Sequence, residues 1–368
     1  MQLMTIRRPP LAILLAVLTL VASFALVRVD RVATHGTETV VDGPWGAEAE
    51  AFGRARGPDG RESGPRSFAV DREGHIFVAD TFNGRVKEYD AGGRLLRQFA
   101  VGEGFARKPF LEDLTVTPAG HIYLADNAGG TVLKVDRDGR LLATFNVRPA
   151  PPPEGLWRIE SLAPGPDDGV YVLGMALTDK GYTASVRLFS ETGALRAVVV
   201  EVRLDATGQP LGKRPGSVAG LISAFTAAGN GRLVLMTAGE TPFQRGLHVV
   251  PTGGGQARRW LYESSTYIEE ASLLGADRSG HVYLGANLSK PDGWVVRLDG
   301  DGQVQEVIGA GPPQPGRGSP AVLFGGRVGQ RGDIFLARPT ADRFVIVRLS
   351  SERHIGFRPV WRQVTGPR

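Results

Sequence analysis

The chain has 368 residues, 42% of them hydrophobic and 22% charged, so it can bury a substantial core and does not have the composition of a disordered protein. Its 43 basic and 38 acidic side chains give a formal charge of +5 and are scattered along the sequence, so we expect no nucleic-acid partner. The absence of cysteine excludes disulfides, thiol nucleophiles, zinc–thiolate sites and iron–sulfur clusters with cysteine ligands.

The first predicted element is an export signal at the N-terminus. Arg7 and Arg8 precede an apolar run at residues 11–27. This run is intermediate in length between a signal-peptide core and a bilayer-spanning helix, so residues 1–30 are predicted to be a signal peptide or a transmembrane signal anchor. Residues 31–368 are then extracytoplasmic, either in the cell envelope or secreted, and the N-terminal segment contacts the membrane if it is retained.

A repeated unit organises the chain after this leader. Phe68–Asp80 (FAVDREGHIFVAD) and Leu114–Asp126 (LTVTPAGHIYLAD) are two copies of a strand, a Gly turn and a second strand, and two further strands follow each copy. Four antiparallel strands in about 40–50 residues are typical of a propeller blade. The sequence therefore predicts an all-β, six-bladed β-propeller after the N-terminal apolar helix. The turn recurs in weaker copies at Gly169, Gly231, Gly280 and Gly332.

The first copy resembles a known repeat family. Gly74–Val86 (GHIFVADTFNGRV) looks like an NHL repeat, and the second copy keeps Ala125, Asp126 and Asn127 of that pattern. The resemblance implies an NHL-type six-bladed propeller over residues 31–368. It does not select an activity, because NHL-like propellers include protein- and RNA-binding scaffolds, an amidating lyase and relatives of lactonases and strictosidine synthase.

Either end of the chain could close the propeller ring. The segment Thr37–Asp42 could join the last blade, or Phe357–Val364 could complete it. Both segments contain β-branched or alternating residues, and closure by either one would protect the sheet edges. The sequence leaves this choice open.

The predicted binding site lies where the innermost strands of the blades begin, because these strand ends surround the central channel of a propeller. Counting back from each Gly turn places an acidic set with one arginine there. Carboxylates at this place could hold a hard cation such as calcium. The alternative is a solvated channel mouth in which the arginine balances the acids. The candidate ligand-binding residues are Arg66, Glu112, Asp113, Glu160 and Glu270, of which Glu112, Glu160 and Glu270 are the candidate metal ligands.

Two other sets of polar residues are predicted to be structural. His75, His121 and His281 follow the first Gly turn of three blades, on the face opposite the predicted site, and we expect exposed turn residues rather than a metal ring. Asp80 and Arg85 flank the next loop, where we expect them to tie the loop to itself.

Two functions of different classes fit these patterns. The favoured one is a non-catalytic binding module, a monomer that presents its loop face to a protein, peptide or glycan. The alternative is a metal-assisted hydrolase or lyase, similar to lactonase or amidating-lyase propellers, with a calcium-like ion in the channel mouth.

Overall fold

Every regular element that the computed structural model describes is a β-strand. Its described residues are 32–57, 60, 62–102, 108–149, 156–178, 180–207, 211, 218, 221–228, 231–253, 256–264, 267–288, 293–309, 325–356 and 361–365. The predicted N-terminal helix lies outside them. Within these ranges, no helix is long and apolar enough to cross a bilayer.

The described strands form six blades of four antiparallel strands each, as the repeat predicts. The chain begins with β1 (Val32–Pro44) and the hairpin of β2 (Ala55–Arg56) and β3 (Glu62–Ser63). Blade 1 contains β4 (Ser67–Val70), β5 (Ile76–Asp80), β6 (Arg85–Tyr89) and β7 (Leu95–Ala100). Blade 2 contains β8 (Leu111–Val116), β9 (Ile122–Asp126), β10 (Thr131–Val135) and β11 (Leu141–Asn146). Blade 3 contains β12 (Leu156–Pro164), β13 (Val170–Thr178), β14 (Gly181–Phe189) and β15 (Leu195–Asp205).

In the second half of the ring, the two ends of the chain add strands to blades that are otherwise formed by consecutive strands. Blade 4 contains β16 (Ile222–Ala227), β17 (Arg232–Ala238), β18 (Gln244–Pro251) and β19 (Arg258–Ser264). Blade 5 contains β20 (Ala271–Ala276), β21 (Val282–Ala286), β22 (Trp294–Leu298) and β23 (Val304–Gly309). Blade 6 contains β24 (Gly326–Val328), β25 (Ile334–Ala337), β26 (Arg343–Gly356) and, as its outer strand, β1. The last strand, β27 (Trp361–Thr365), pairs with β19 and extends blade 4 to five strands.

The N-terminal strand closes the ring. β1 pairs antiparallel with β26 from Pro44 opposite Arg343 to Val32 opposite Gly356. The first of the two predicted closures, through Thr37–Asp42, is therefore the one that the fold uses. The innermost strands β4, β8, β12, β16, β20 and β24 contact one another in this order, and β24 contacts β4.

Apolar layers between adjacent blades form the core, and glycine turns make part of this packing possible. Phe99 of blade 1 lies under Gly139 of blade 2, and Phe145 of blade 2 lies under Gly193 of blade 3. Both glycines have a positive φ, 85° and 87°, and a Cβ at either position would overlap the phenylalanine ring. The Gly turns of the repeat thus allow close contact between blades as well as chain reversal.

The strand register defines two faces of the propeller. Each inner strand begins at the same end as the loop between the second and third strands, as when Ser67 of β4 pairs with Ala79 of β5. We call this end the loop face. The opposite end, which carries the Gly turns after the first and third strands, is the turn face.

Candidate functional site

Four charged side chains from blades 1 to 3 meet at the mouth of the channel on the loop face. Arg66, directly before β4, donates from Nη2 to Oε1 of Glu112 at 2.8 Å. In blade 3, Arg158 donates to the carboxylate of Glu160. Burial raises the pKa of Glu160, an effect that Arg158 opposes and the nearby charge of Glu112 reinforces. The mouth is therefore lined by two arginine–glutamate pairs that influence each other.

An aromatic pair lies beside this mouth. The guanidinium carbon of Arg66 is 5.8 Å from the ring centroid of Phe110, a distance suited to a cation–π contact. Phe110 in turn packs edge to face on Phe82, with ring centroids 6.2 Å apart. Nε of Arg66 is buried without a hydrogen-bond acceptor among the described residues. One side of the mouth thus combines a cation with aromatic surface.

Asp113 joins three inner strands in the channel, below this mouth. Its Oδ1 accepts from Ser67 Oγ at 2.5 Å and from Arg327 Nη2 at 3.0 Å, and its Oδ2 accepts from the backbone N–H of Leu162 at 2.8 Å. Burial raises the pKa of the fully buried Asp113, although Arg327 and the hydrogen bonds act in the opposite direction. Asp113 and Arg327 connect blade 2 with blade 6 across the channel.

The predicted residues are thus only partly brought together. Arg66, Glu112, Asp113 and Glu160 meet across blades 1 to 3, whereas Glu270 lies directly before β20 in blade 5, which blade 4 separates from blade 3. Among the described residues there is no group of three His, Cys, Asp or Glu side chains that could hold a metal ion. The calcium set of Glu112, Glu160 and Glu270 stays a prediction.

Asp80 has the loop-tying contacts that the sequence predicts, and it also anchors the N-terminal segment. Its Oδ2 accepts from Arg85 Nε at 2.7 Å and from Asn83 Nδ2 at 2.9 Å. Its Oδ1 accepts from the backbone N–H of Gly53 at 2.7 Å, and Arg85 also donates to the carbonyl of Ala51. These contacts attach the segment that follows β1 to blade 1.

Large apolar side chains are exposed around the mouth. Leu177, at the end of β13, is 64% exposed, and Leu221, just before β16, is 48% exposed. Phe243 and Tyr267, on two loops of the same face, pack edge to face with centroids 6.0 Å apart. Leu211, beside the end of β15, is also exposed. The loop face of blades 3 and 4 therefore presents apolar surface next to the charged mouth.

The three repeat histidines lie on the turn face, but each is paired with an acid. Nδ1 of His75 lies 3.2 Å from Oε1 of Glu88, and Nδ1 of His281 lies 3.0 Å from Oδ2 of Asp277. Nδ1 of His121 lies 2.5 Å from Oδ2 of Asp168, which belongs to the next blade. The histidines are half-buried and each contacts an acidic side chain, rather than being the simple exposed turn residues that the sequence predicts.

Asp168 is the centre of the network between blades 2 and 3. Besides His121, its carboxylate accepts from Lys134 Nζ at 2.8 Å and from Thr117 Oγ1, and its carbonyl accepts from Tyr123 Oη at 2.6 Å. Asp168 has a positive φ of 57°, a conformation that Asp tolerates better than most residues. Burial acts to raise its pKa, but the hydrogen bonds from Lys134, Thr117 and His121 hold the pKa below its usual value.

Arg158 and Arg327 are the residues of the mouth and channel that the sequence analysis missed. Arg158 stands two positions before Glu160, so an alternating inner strand would have placed both on one face. Arg327 is in the inner strand of blade 6, but its partner Asp113 is 214 positions away. No local spacing indicates that pair.

Comparison with known proteins supports the fold. No protein-family model matches the chain, and no curated protein matches it. Solved structures that resemble it include a member of the DUF4221 family from Bacteroides vulgatus, 11% identical, which matches 91% of this chain and 99% of its own with a TM-score of 0.51. Virginiamycin B lyase from Staphylococcus aureus with quinupristin is 12% identical, with coverages of 83% and 87% and a TM-score of 0.47.

A calcium-binding protein, regucalcin from Agrobacterium tumefaciens, is a further structure of this kind. It is 14% identical, with coverages of 81% and 93% and a TM-score of 0.45. At these identities the likeness extends to the fold and not to the activity. The strand pairing of the chain itself, with the fold likeness to the DUF4221 structure, identifies the chain as a six-bladed β-propeller.

Proposed function

We propose that this chain is an exported propeller of NHL type that binds a protein or peptide on its loop face. The observation that carries the proposal is the exposed apolar surface around a charged channel mouth. Leu177, Leu221 and Tyr267 are 64%, 48% and 55% exposed, all on the loop face. Exposed apolar surface on one face of a folded protein is typical of an interaction site, and on this face Tyr267 packs against Phe243.

The chemistry of this surface favours a polypeptide over a glycan. Exposed leucines contribute aliphatic surface, which suits the apolar side chains of a peptide better than the hydroxyl-rich surface of a sugar. Phe243 and Tyr267 add the rigid aromatic anchors that are enriched in protein interfaces. The two arginine–glutamate pairs of the mouth supply the polar groups that fix the orientation of a bound chain.

The metal-assisted alternative has less support from the same geometry. Glu112 accepts from Arg66 and Glu160 accepts from Arg158, so a cation would have to displace two guanidinium groups to reach these carboxylates. The Arg66–Glu112 pair is partly buried, where a guanidinium–carboxylate hydrogen bond is stronger than at the surface. These contacts therefore favour a binding module over a metal-assisted enzyme.

Selection of a random-peptide display library on the immobilised full chain in non-ionic detergent tests this proposal. We expect selected peptides to bind the variant Leu177→Asp/Tyr267→Asp at least about tenfold more weakly than the unchanged chain, because anchor side chains in an interface contribute about 2 kcal/mol or more. Isothermal titration with each synthesised peptide measures the loss.

The control variant is Leu141→Asp/Leu195→Asp, which changes two leucines of similar exposure on outer strands, 42% and 51% exposed. It should keep the affinity of the unchanged chain. Equal affinity of the loop-face variant and the unchanged chain would refute the proposal, as would a failure to enrich any peptide.

A further inference from the structure

The outer edge of blade 4 differs from the edges of the other blades. Its fourth strand, β19, pairs with β18 in one continuous register, from Gln244 opposite Glu263 to Val249 opposite Arg258. The outer strands of the other five blades have register shifts against their neighbours. Shifts of this kind are typical of β-bulges, which protect a sheet edge from pairing with a further strand. In the described part of the chain, β19 is thus the outer strand with an edge regular enough to accept another strand.

Contacts with blade 5 hold β19 in a fixed position. Tyr262 is fully buried, and its Oη donates to the carbonyl of Gly302 at 2.5 Å. Trp260 is also buried and lies against the same glycine, where a Cβ would overlap the indole ring. A strand whose side chains are already fixed loses little further conformational freedom when its edge binds another segment. The edge of β19 is therefore preorganised for strand addition.

The C-terminal strand of the chain itself occupies this edge. β27 pairs antiparallel with β19, from Trp361 opposite Ser264 to Thr365 opposite Leu261. It is five residues long and pairs through one of its edges, whereas the ring-closing β1 is thirteen residues long. A short strand near a chain end opens at a lower free-energy cost than a strand within a blade. β27 thus marks an edge that binds a strand, and it is the strand most easily exchanged there.

The edge of β19 ends at the apolar surface of the loop face. The backbone N–H of Ser264, the residue opposite Trp361, donates to the carbonyl of Phe243 at 2.9 Å. Phe243 packs edge to face on Tyr267. A polypeptide that contacts this aromatic pair is therefore within reach of the edge that β27 covers.

From these observations we propose that the outer edge of β19 binds an extended segment of a partner polypeptide, which adds to blade 4 as a strand in place of β27. Backbone hydrogen bonds along the edge supply affinity, and side-chain contacts at the loop face supply specificity. That the partner is a polypeptide bound at the loop face rests on the function proposed above. The strand-binding edge itself rests on the pairing of β18, β19 and β27.

A fluorescent synthetic peptide with the sequence of residues 357–368, which contains β27, is the probe for the edge. The full-length variant Gln363→Pro/Val364→Pro frees the edge. Alternate residues of an antiparallel strand direct their N–H groups to the partner, so one of the two prolines removes a hydrogen bond to β19. The matched control, Gln363→Ala/Val364→Ala, keeps both N–H groups. Thermal melts in non-ionic detergent show that the propeller of each variant is folded.

We expect the proline variant to bind the probe at least about tenfold more tightly than the alanine control and the unchanged chain, as measured by fluorescence anisotropy. A tethered strand that leaves the edge open in at most about one-tenth of the molecules weakens the apparent affinity by that factor. Amide hydrogen exchange in β19 should be faster in the proline variant and should slow again when the probe binds. Absence of binding to the proline variant, or equal affinity of the three chains, would overturn the proposal.

Competition separates this inference from the proposed function. Peptides selected by display on the full chain should displace the probe from the proline variant. Selected peptides that need the loop face but do not displace the probe would overturn the placement of the partner on β19, while the proposed function would stand. If display enriches no peptide but the probe still binds the proline variant, the proposed function fails and the strand-binding edge is confirmed.

Discussion

Replacing Arg327 by methionine is expected to lower the free energy of unfolding by about 3–5 kcal/mol, because the variant leaves a buried carboxylate without its counter-charge. Asp113 is fully buried, and Arg327 is the cation 3.0 Å from its Oδ1. Methionine keeps much of the length and apolar stem of arginine, so the loss comes mainly from the missing charge. Urea denaturation measures it, as a lower midpoint with an unchanged slope.

The pH dependence of this variant provides an independent check. Burial raises the pKa of Asp113, and removal of Arg327 raises it further. When the pKa of a carboxyl is higher in the folded state than in the unfolded state, proton binding stabilises the fold. This stabilisation is lost as the pH rises. The destabilisation relative to the unchanged chain should therefore grow as the pH rises above the folded-state pKa of Asp113 in the unchanged chain, which is itself above the usual value, and shrink on acidification.

Arg348→Met is the matched control, since Arg348 is also in blade 6 but pairs with the exposed carboxylate of Glu38. This variant should lower the free energy of unfolding by at most about 1 kcal/mol, the usual range for a surface pair. Equal losses in the two arginine variants would show that Asp113 does not need its partner.

Replacing Asp168 by asparagine is expected to cost about 3 kcal/mol, because it leaves the ammonium group of Lys134 without its nearest counter-charge. The side chain of Lys134 is only 7% exposed. Asparagine has the same shape as aspartate and also tolerates a positive φ, so the backbone of the turn should be preserved. Thermal and urea unfolding at neutral pH measure the difference.

The loss of stability at acidic pH distinguishes the effect of the charge of Asp168 from the effect of its shape. The pKa of Asp168 is below its usual value in the folded state, so its contribution is present above about pH 4 and is lost as the pH falls through the folded-state value. Asp168→Asn should lack this part of the acid-induced loss.

Asp167→Asn is the control for the second prediction. Asp167 also has a positive φ, 50°, in the same turn, but its side chain is 75% exposed and pairs with Arg196 at the surface. We expect a change of at most about 1 kcal/mol. A loss as large as that of Asp168→Asn would point to the turn backbone, and not to the buried network.

Local sequence patterns were sufficient to predict the blades. The Gly turn of Phe68–Asp80 recurs between the first two strands of each blade, because each blade is one unit stacked on its neighbours. The mouth could be predicted in part for the same reason, since Arg66 and Glu112 occupy equivalent places in two copies of the repeat. Contacts between neighbouring blades then bring them together.

Contacts between distant blades could not be predicted in this way. The pair of Asp113 and Arg327 depends on how the ring closes, and the role of Asp168 depends on how blade 3 is placed against blade 2. The closing strand itself was undecided, because Thr37–Asp42 and Phe357–Val364 have equally suitable residues. The fold uses the first of them, because β1, which contains Thr37–Asp42, pairs with the outer edge of β26.

Amide hydrogen exchange of the full chain, with and without a peptide selected on it, distinguishes loop-face binding from binding elsewhere on the propeller. We expect slower exchange in the segments that contain Leu177, Leu221, Phe243 and Tyr267, and unchanged exchange in the outer strands β7 and β11. Slower exchange confined to those outer strands or to the Gly turns of the turn face would show that the peptide does not bind the loop face.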